Sequence, residues 1–266
     1  MRRSDPVADD PLLLERRESA ALVTLNRPHK HNALSLDLLA RLRTLVTDLG
    51  DDGSVRVVIL RGNDRCFSTG LDLDDLAEVK GVGDTQRVLA VARDANAAIE
   101  RCPKPVIAAI AGWCLTGGLE MALACDVRVA AATARLGITS ARIGTVAGAG
   151  GTQRLPRLVG AGRAKEILFA AEPIDADEAL RIGLVNRVVP AGQEVEAALE
   201  MARLWARRAP LSLWFAKSAV NVGLTMPLEA ALAFEMGLTA QLFTTEDRAE
   251  GLRAFREKRE AEFRGQ

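Results

Sequence analysis

The run PVIAAIAGWCLTGGLEMALAC, residues 105–125, carries one charge, Glu120, in 21 residues. A stretch that long and that apolar is long enough to cross a bilayer. Its contents point elsewhere. Pro105, Gly112, Gly117 and Gly118 interrupt it, and no aromatic belt or basic flank frames it. A carboxylate at mid-membrane costs roughly 2.5–3.5 kcal/mol on insertion scales. The stretch therefore reads as a buried strand over 105–112, a sharp turn at the paired glycines, and a short buried helix, all in a soluble protein.

The neighbouring segments extend this pattern. Residues 55–62 (VRVVILRG) and 126–131 (DVRVAA) read as further buried strands, and residues 12–17 and 20–26 as two short ones before Pro28. Ser35 is a suitable N-cap for a helix with Leu36, Leu39, Leu42, Val46 and Leu49 on one stripe, closed by Gly50. Residues 72–79 and 85–101 read as helices, the second ending before Pro103. This alternation implies a layered α/β core. After residue 145 the pattern becomes helical, with apolar stripes over 198–209, 211–223 and 228–243. The last segment, 246–263, reads as an amphipathic helix with Leu252, Phe255 and Phe263 on its apolar side. No internal repeat or low-complexity linker divides the chain. The expected division is a disordered tail over 1–10, a core over 11–200 and a helical region over 201–266.

Composition removes several classes of function. Lys and Arg number 35, as do Asp and Glu, so the formal charge is zero and a nucleic-acid footprint is absent. Aromatics make up 4% and Tyr is missing, which leaves no base-stacking platform. The cysteines at 66, 102, 114 and 125 have no CxxC spacing, and with His29 and His31 the only histidines no metal site is expected. The opening MRRSDPVADDP is neither signal peptide nor anchor. These features point to a reducing compartment, the cytoplasm, with no membrane partner.

Several familiar motifs fail. GAGRAK (160–165) has Lys165 where a third glycine belongs, and GTVAGAGG (144–151) lacks the ending of a phosphate loop. Asp72, Asp74 and Asp75 read as acids at a helix start, favoured by the dipole. Two segments hold. In CFSTGLDLDDL (66–76) the turn at Gly70 leaves the N–H of Leu71 without an intrahelical partner, and in AGWCLTGGLEMA (111–122) the N–H of Gly117 is similarly free. Two such donors are what an oxyanion hole needs, provided tertiary structure brings them together. Glu120 lies three residues after Gly117 on a helix apolar all round. A buried carboxylate there is costly unless its pKa rises or function requires it. Cys114 and Cys125 read as small apolar residues.

The chain resembles the crotonase (enoyl-CoA hydratase/isomerase) superfamily in LNRPHKHNAL (25–34), RCFSTGLDLDDL (65–76), PKPVIAAIAGWCLTGGLEMALACDVRVA (103–130), IGTVAGAGGTQRLPRLVG (143–160), AAEPIDADEALRIGLVNRVVP (170–190) and FREKREAEF (255–263). The resemblance implies a spiral of β-β-α units with C-terminal helices over 201–266 that build trimers, often paired into hexamers. It implies an acyl-coenzyme A thioester as substrate and no separate cofactor. Leu71 and Gly117 would hold the thioester oxygen and Glu120 would handle water. Ser68, Thr69, Gly70 and Leu73, with Leu115 and Thr116, would line the substrate path. Gly148 would lie beside the water, and Lys258 would reach coenzyme A, from the same or the next subunit.

Three departures qualify it. The second glutamate of the hydratases falls on Ser140, twenty residues after Glu120. Thr116 stands where a run of three glycines is common. Asp74 stands where Lys is frequent near the nucleotide. Syn hydration needs a base for water and an acid for the α-carbon, and losing one such group typically costs roughly 10²–10⁴-fold in rate. Three activities are therefore expected, in this order: hydration of a 2-enoyl-CoA, isomerisation or another reaction using one carboxylate, and acyl-CoA binding without catalysis.

Overall fold

A computed structural model of the chain describes residues 10–266. The tail expected over residues 1–10 lies outside it except for Asp10, whose carbonyl accepts the Asn26 side-chain amide at 2.9 Å. The elements are β1 (Leu12–Arg17), β2 (Ala20–Leu25), α1 (Leu36–Asp51), β3 (Val57–Arg61), β4 (Cys66–Ser68), α2 (Leu73–Ala77), α3 (Val82–Arg101), β5 (Val106–Ile110), β6 (Trp113–Leu115), α4 (Gly117–Ala124), β7 (Val127–Ala131) and β8 (Arg135–Gly137). A 3-10 turn over Ser140–Ile143 follows, then α5 (Gly151–Val159), α6 (Ala161–Ala170), β9 (Ile174–Asp175), α7 (Ala176–Arg181), β10 (Arg187–Val189), α8 (Glu194–Ala206), α9 (Pro210–Gly223), α10 (Leu228–Leu242) and α11 (Glu246–Glu257).

Two sheets organise the chain. The larger has the order β1-β2-β3-β5-β7-β10, and the smaller β4-β6-β8-β9. Each successive turn places one strand in each sheet: β3 then β4, β5 then β6, β7 then β8. All neighbours from β2 to β10 in the larger sheet are parallel. This is the expected α/β spiral of β-β-α units. The short strands β4, β6 and β8 carry too few residues to show a period of two, and sequence reading missed them.

Burial follows the pleat. Val57, Ile59, Ile107, Ala109 and Val129 face Ala198, Leu199 and Ala202 of α8. Their neighbours Val58, Leu60, Ala108 and Ile110 face Leu38, Leu42 and Ile99 of α1 and α3. Both faces are covered, so these strands read as unbroken apolar runs. Each fully buried Leu or Ile contributes about 1.5–3 kcal/mol.

Several expectations are corrected. Helix α1 does not stop at Gly50: it runs to Asp51, because Gly50 serves close packing, and a Cβ there would lie 3.1 Å from Pro103 Cδ. The region after 145 is not wholly helical, since β9 and β10 complete the two sheets. The boundary at 200/201 falls inside α8, which packs on the larger sheet. The last helix ends at Glu257, not 263, because Lys258 turns left-handed at φ 56°. Phe255 is 85% exposed, so the helix docks through Ala254 instead of the expected stripe. The following tail turns back, with the Phe263 carbonyl accepting from Arg56 at 3.5 Å.

Helices α9 and α10 pack on each other and bury no residue fully. Lys217 of α9 ties the pair to the core: its Nζ donates to Asp126 Oδ2 at 2.8 Å and to the carbonyls of Ile99 and Lys104. Among the described residues no helix is long and apolar enough to cross a membrane.

Candidate active site

The two strand-to-helix turns meet. Strands β4 and β6 run parallel, with Ser68 paired to Cys114, so the chain leaves both strands on the same side. A Cβ built on Gly117 would lie 3.2 Å from the amide nitrogen of Leu71 and 3.2 Å from Gly70 Cα. Only glycines permit backbones this close. Neither the Leu71 nor the Gly117 N–H has a hydrogen-bond acceptor among the described residues. Gly70 takes the turn at φ 106°, and its amide donates to Ser68 Oγ at 3.2 Å. A Cβ on Gly118 would come within 2.4 Å of the Ser68 carbonyl, so α4 starts hard against β4.

Residues before the first turn hold it in place. Asn32, fully buried, accepts from Arg27 N and donates to the carbonyls of Cys66 and Phe67. Asp72 caps α2 and pairs with Arg27 at 2.7 Å. Asp74 pairs with Lys30, and Asp75 accepts from Leu36 N. The acid cluster is thus a set of caps and ties. Thr69 sits at the rim with its hydroxyl 3.4 Å from the His31 carbonyl, and Leu73 is exposed.

Glu120 lies one turn into α4, on the Gly117 face of the helix, and is 2% exposed. Its Oε1 accepts the amides of Ala149 at 2.8 Å and Gly151 at 2.7 Å. Its Oε2 has no partner among the described residues. Burial pushes the carboxyl's pKa up, while the two amides and the Arg154 charge pull it back. The Ala149 peptide is fixed from its other end, its carbonyl accepting from Asn96 at 3.0 Å and from Arg154 at 3.1 Å. Arg154 itself forms a bidentate pair with Glu100.

Leu89 of α3 lies against Gly148, where a Cβ would fall 2.8 Å from its Cδ1. Ser140 is buried, and its hydroxyl makes no hydrogen bond within the protein among the described residues. Ile138, two residues earlier, reaches the same spot as Glu120: a Cβ on Gly151 would lie 2.8 Å from Ile138 Cδ1 and 3.0 Å from Glu120 Cγ. Leu115 and Thr116 lead into the second turn, half-buried.

Lys258 is not brought here. It caps α11, whose tail is fastened to Arg56 just before β3 of the larger sheet, whereas the turns follow β4 and β6 of the smaller one. Burial pushes the Cys125 thiol up to about 12 and Cys114 well above its usual value, which suits inert packing groups. Sequence reasoning missed Ala149, Gly151 and Asn96 as members of this constellation. The glycines of 148–151 were its only signal, since backbone amides leave no trace in side-chain chemistry.

Known proteins resemble this chain over nearly its whole length. The enoyl-CoA hydratase/isomerase family profile matches residues 15–266. A short-chain-enoyl-CoA hydratase of Clostridium acetobutylicum is 39% identical over 252 residues, 94% of this chain and 96% of that protein. A 2,3-dehydroadipyl-CoA hydratase of Escherichia coli is 40% identical over 257 residues, 96% and 98% of the two chains. The crystal structure of an enoyl-CoA hydratase from Bacillus anthracis superposes with a TM-score of 0.93 at 38% identity, covering 97% of this chain and 100% of that one.

Proposed function

This chain belongs to the enoyl-CoA hydratase/isomerase family, and from that premise we propose that it adds water across the double bond of a 2-enoyl-CoA thioester. The observation that carries the reading is the meeting of two amides, Leu71 and Gly117, that have no acceptor among the described residues, one helical turn from a buried carboxylate. The amides hold the thioester oxygen and stabilise the enolate as charge develops on it, the kind of preorganised stabilisation that is worth about 2.7–4 kcal/mol per donor.

Glu120 handles the protons. As the water oxygen bonds to the β-carbon, Oε2 takes one water proton and the double-bond electrons move to the thioester oxygen. The enolate then collapses, and the carboxyl returns that proton to the α-carbon. Oε1, pinned by two amides, keeps the group from turning away. One carboxylate thus serves as base and then acid, which suits a site with Ser140 in place of a second carboxyl. Thr69, Gly70, Leu73, Leu115, Thr116 and Gly148 border the acyl-pantetheine path, whereas Ser68, expected beside it, is fully buried and instead holds the Gly70 amide from behind. The C-terminal helices supply trimer contacts, and Lys258 meets coenzyme A across such a contact. The four cysteines, all free, suit the cytoplasm.

A second reading has its own support: of the two buried carboxylates beside the turns, Glu120 alone keeps an oxygen without a partner among the described residues, while Asp72 is committed to Arg27. That arrangement suits moving a double bond from β,γ to α,β. Loss of enoyl-CoA absorbance across several chain lengths, with product analysis, tests both. Turnover with water incorporated supports hydration, and a shifted alkene without it supports isomerisation. Rates no higher than those of Glu120→Gln reject both, and tight binding with inertness toward a broad panel would leave an acyl-CoA-binding subunit.

A further inference from the structure

Thr116 sits at φ 45°, ψ −110°. A β-branched residue there is a steric outlier. Such conformations cost about 1–3 kcal/mol and persist only where the surroundings over-determine them. Three contacts do so. The Thr116 N–H donates to the Gly137 carbonyl at 2.8 Å, and its own carbonyl accepts the Glu120 N–H at 2.9 Å. Its hydroxyl meets Thr139 twice, Oγ1 to Oγ1 at 2.9 Å and Oγ1 accepting the Thr139 N–H at 3.1 Å. Thr139 is the only residue among those described that hydrogen-bonds this side chain.

The Gly117 N–H belongs to the peptide that joins residues 116 and 117, so ψ of Thr116 sets its direction. We propose that Thr139 is a positioning residue: by gripping the Thr116 hydroxyl it holds the strained turn and keeps the Gly117 N–H aimed at the thioester oxygen. This rests on the reading of Leu71 and Gly117 as the donor pair. Thr139 also precedes Ser140, so the same contact ties the 138–140 segment to the turn.

The test uses butyryl-CoA with a labelled thioester carbonyl, bound to the whole protein and read by infrared spectroscopy. Two amide donors lower the carbonyl stretch relative to free ligand. Thr139→Val should lose a measurable part of that shift. It should also lower kcat about tenfold with KM changed less than threefold, short of the roughly 10²–10³-fold lost when a donor is removed outright. Thr139→Ser should restore both. In a Thr116→Gly background, whatever that change does alone, adding Thr139→Val should alter the shift and kcat less than twofold.

Wild-type shift and kcat in Thr139→Val, or an equal loss in the Thr116→Gly background, would overturn the proposal. No shift in the wild-type protein would overturn the donor-pair reading and the proposal with it, an outcome distinct from the other two. Should Thr139→Val not fold, Thr139→Ala carries the same comparison.

Discussion

The Gly151 amide donates to Glu120 Oε1 over 2.7 Å, and a Cβ on Gly151 would lie only 3.0 Å from Glu120 Cγ. The start of α5 is thus both hydrogen-bond donor and packing wall for the carboxylate. The same Cβ would lie 2.8 Å from Ile138 Cδ1 and 2.9 Å from Ala147 Cβ, so the position has no spare volume.

Gly151→Ala should therefore displace Glu120. Overpacking of this kind costs about 1–3 kcal/mol, and a misplacement near 1 Å costs roughly 10²-fold in rate. Steady-state kinetics beside thermal melting check it. An unchanged kcat would show that the carboxylate's position is unimportant.

The pH profile follows from the charges around Glu120. Burial is the largest influence and raises its pKa, so the base form appears only above the ordinary carboxylate value of about 4.3. The acidic limb of kcat/KM should lie above that value. Arg154 attracts the anion and pulls the pKa down, so Arg154→Met should move the limb to higher pH. A shift to lower pH would contradict the assignment of Glu120 as the titrating group.

Ser140 is buried, and its hydroxyl has no partner among the described residues. Ser140→Glu should supply a second proton donor and raise hydration by roughly 10²-fold, the low end for an added acid–base group. Burying the new carboxyl should also lower the melting temperature. Enoyl-CoA assays on the variant decide it, and no gain would mean that position 140 does not face the α-carbon.

Lys217→Met should loosen α9. It removes the partner of Asp126, a half-buried carboxylate that also accepts the Val106 amide at 2.7 Å. Breaking such a pair costs about 3 kcal/mol, which for a chain of this size is roughly 6–12 °C in melting temperature. A change under about 2 °C would show that α9 is held by other contacts.

The long elements were legible in the chain because their signals are local. Leu39, Leu42, Val46 and Leu49 face one way by helical period alone, and residues 57–60 (VVIL) and 106–110 (VIAAI) are apolar throughout because both faces of the larger sheet are covered. The short strands β4, β6, β8 and β9 were not legible, since two or three residues carry no period. The halt of α11 at Lys258 was hidden too, because nothing in the composition of 246–263 marks a left-handed turn.

Residue types alone determined that Leu71 and Gly117 follow tight turns that lead into helices, that Glu120 lies on an apolar helix, and that position 140 holds no carboxyl. Tertiary structure alone decided that residues 70 and 117 touch, that Ala149 and Gly151 grip Glu120, and that Thr139 grips Thr116. The physical reason is separation along the chain. Propensity and periodicity act over a few residues, whereas these contacts join segments 23 to 47 positions apart and exist only once parallel strands bring their ends to one edge.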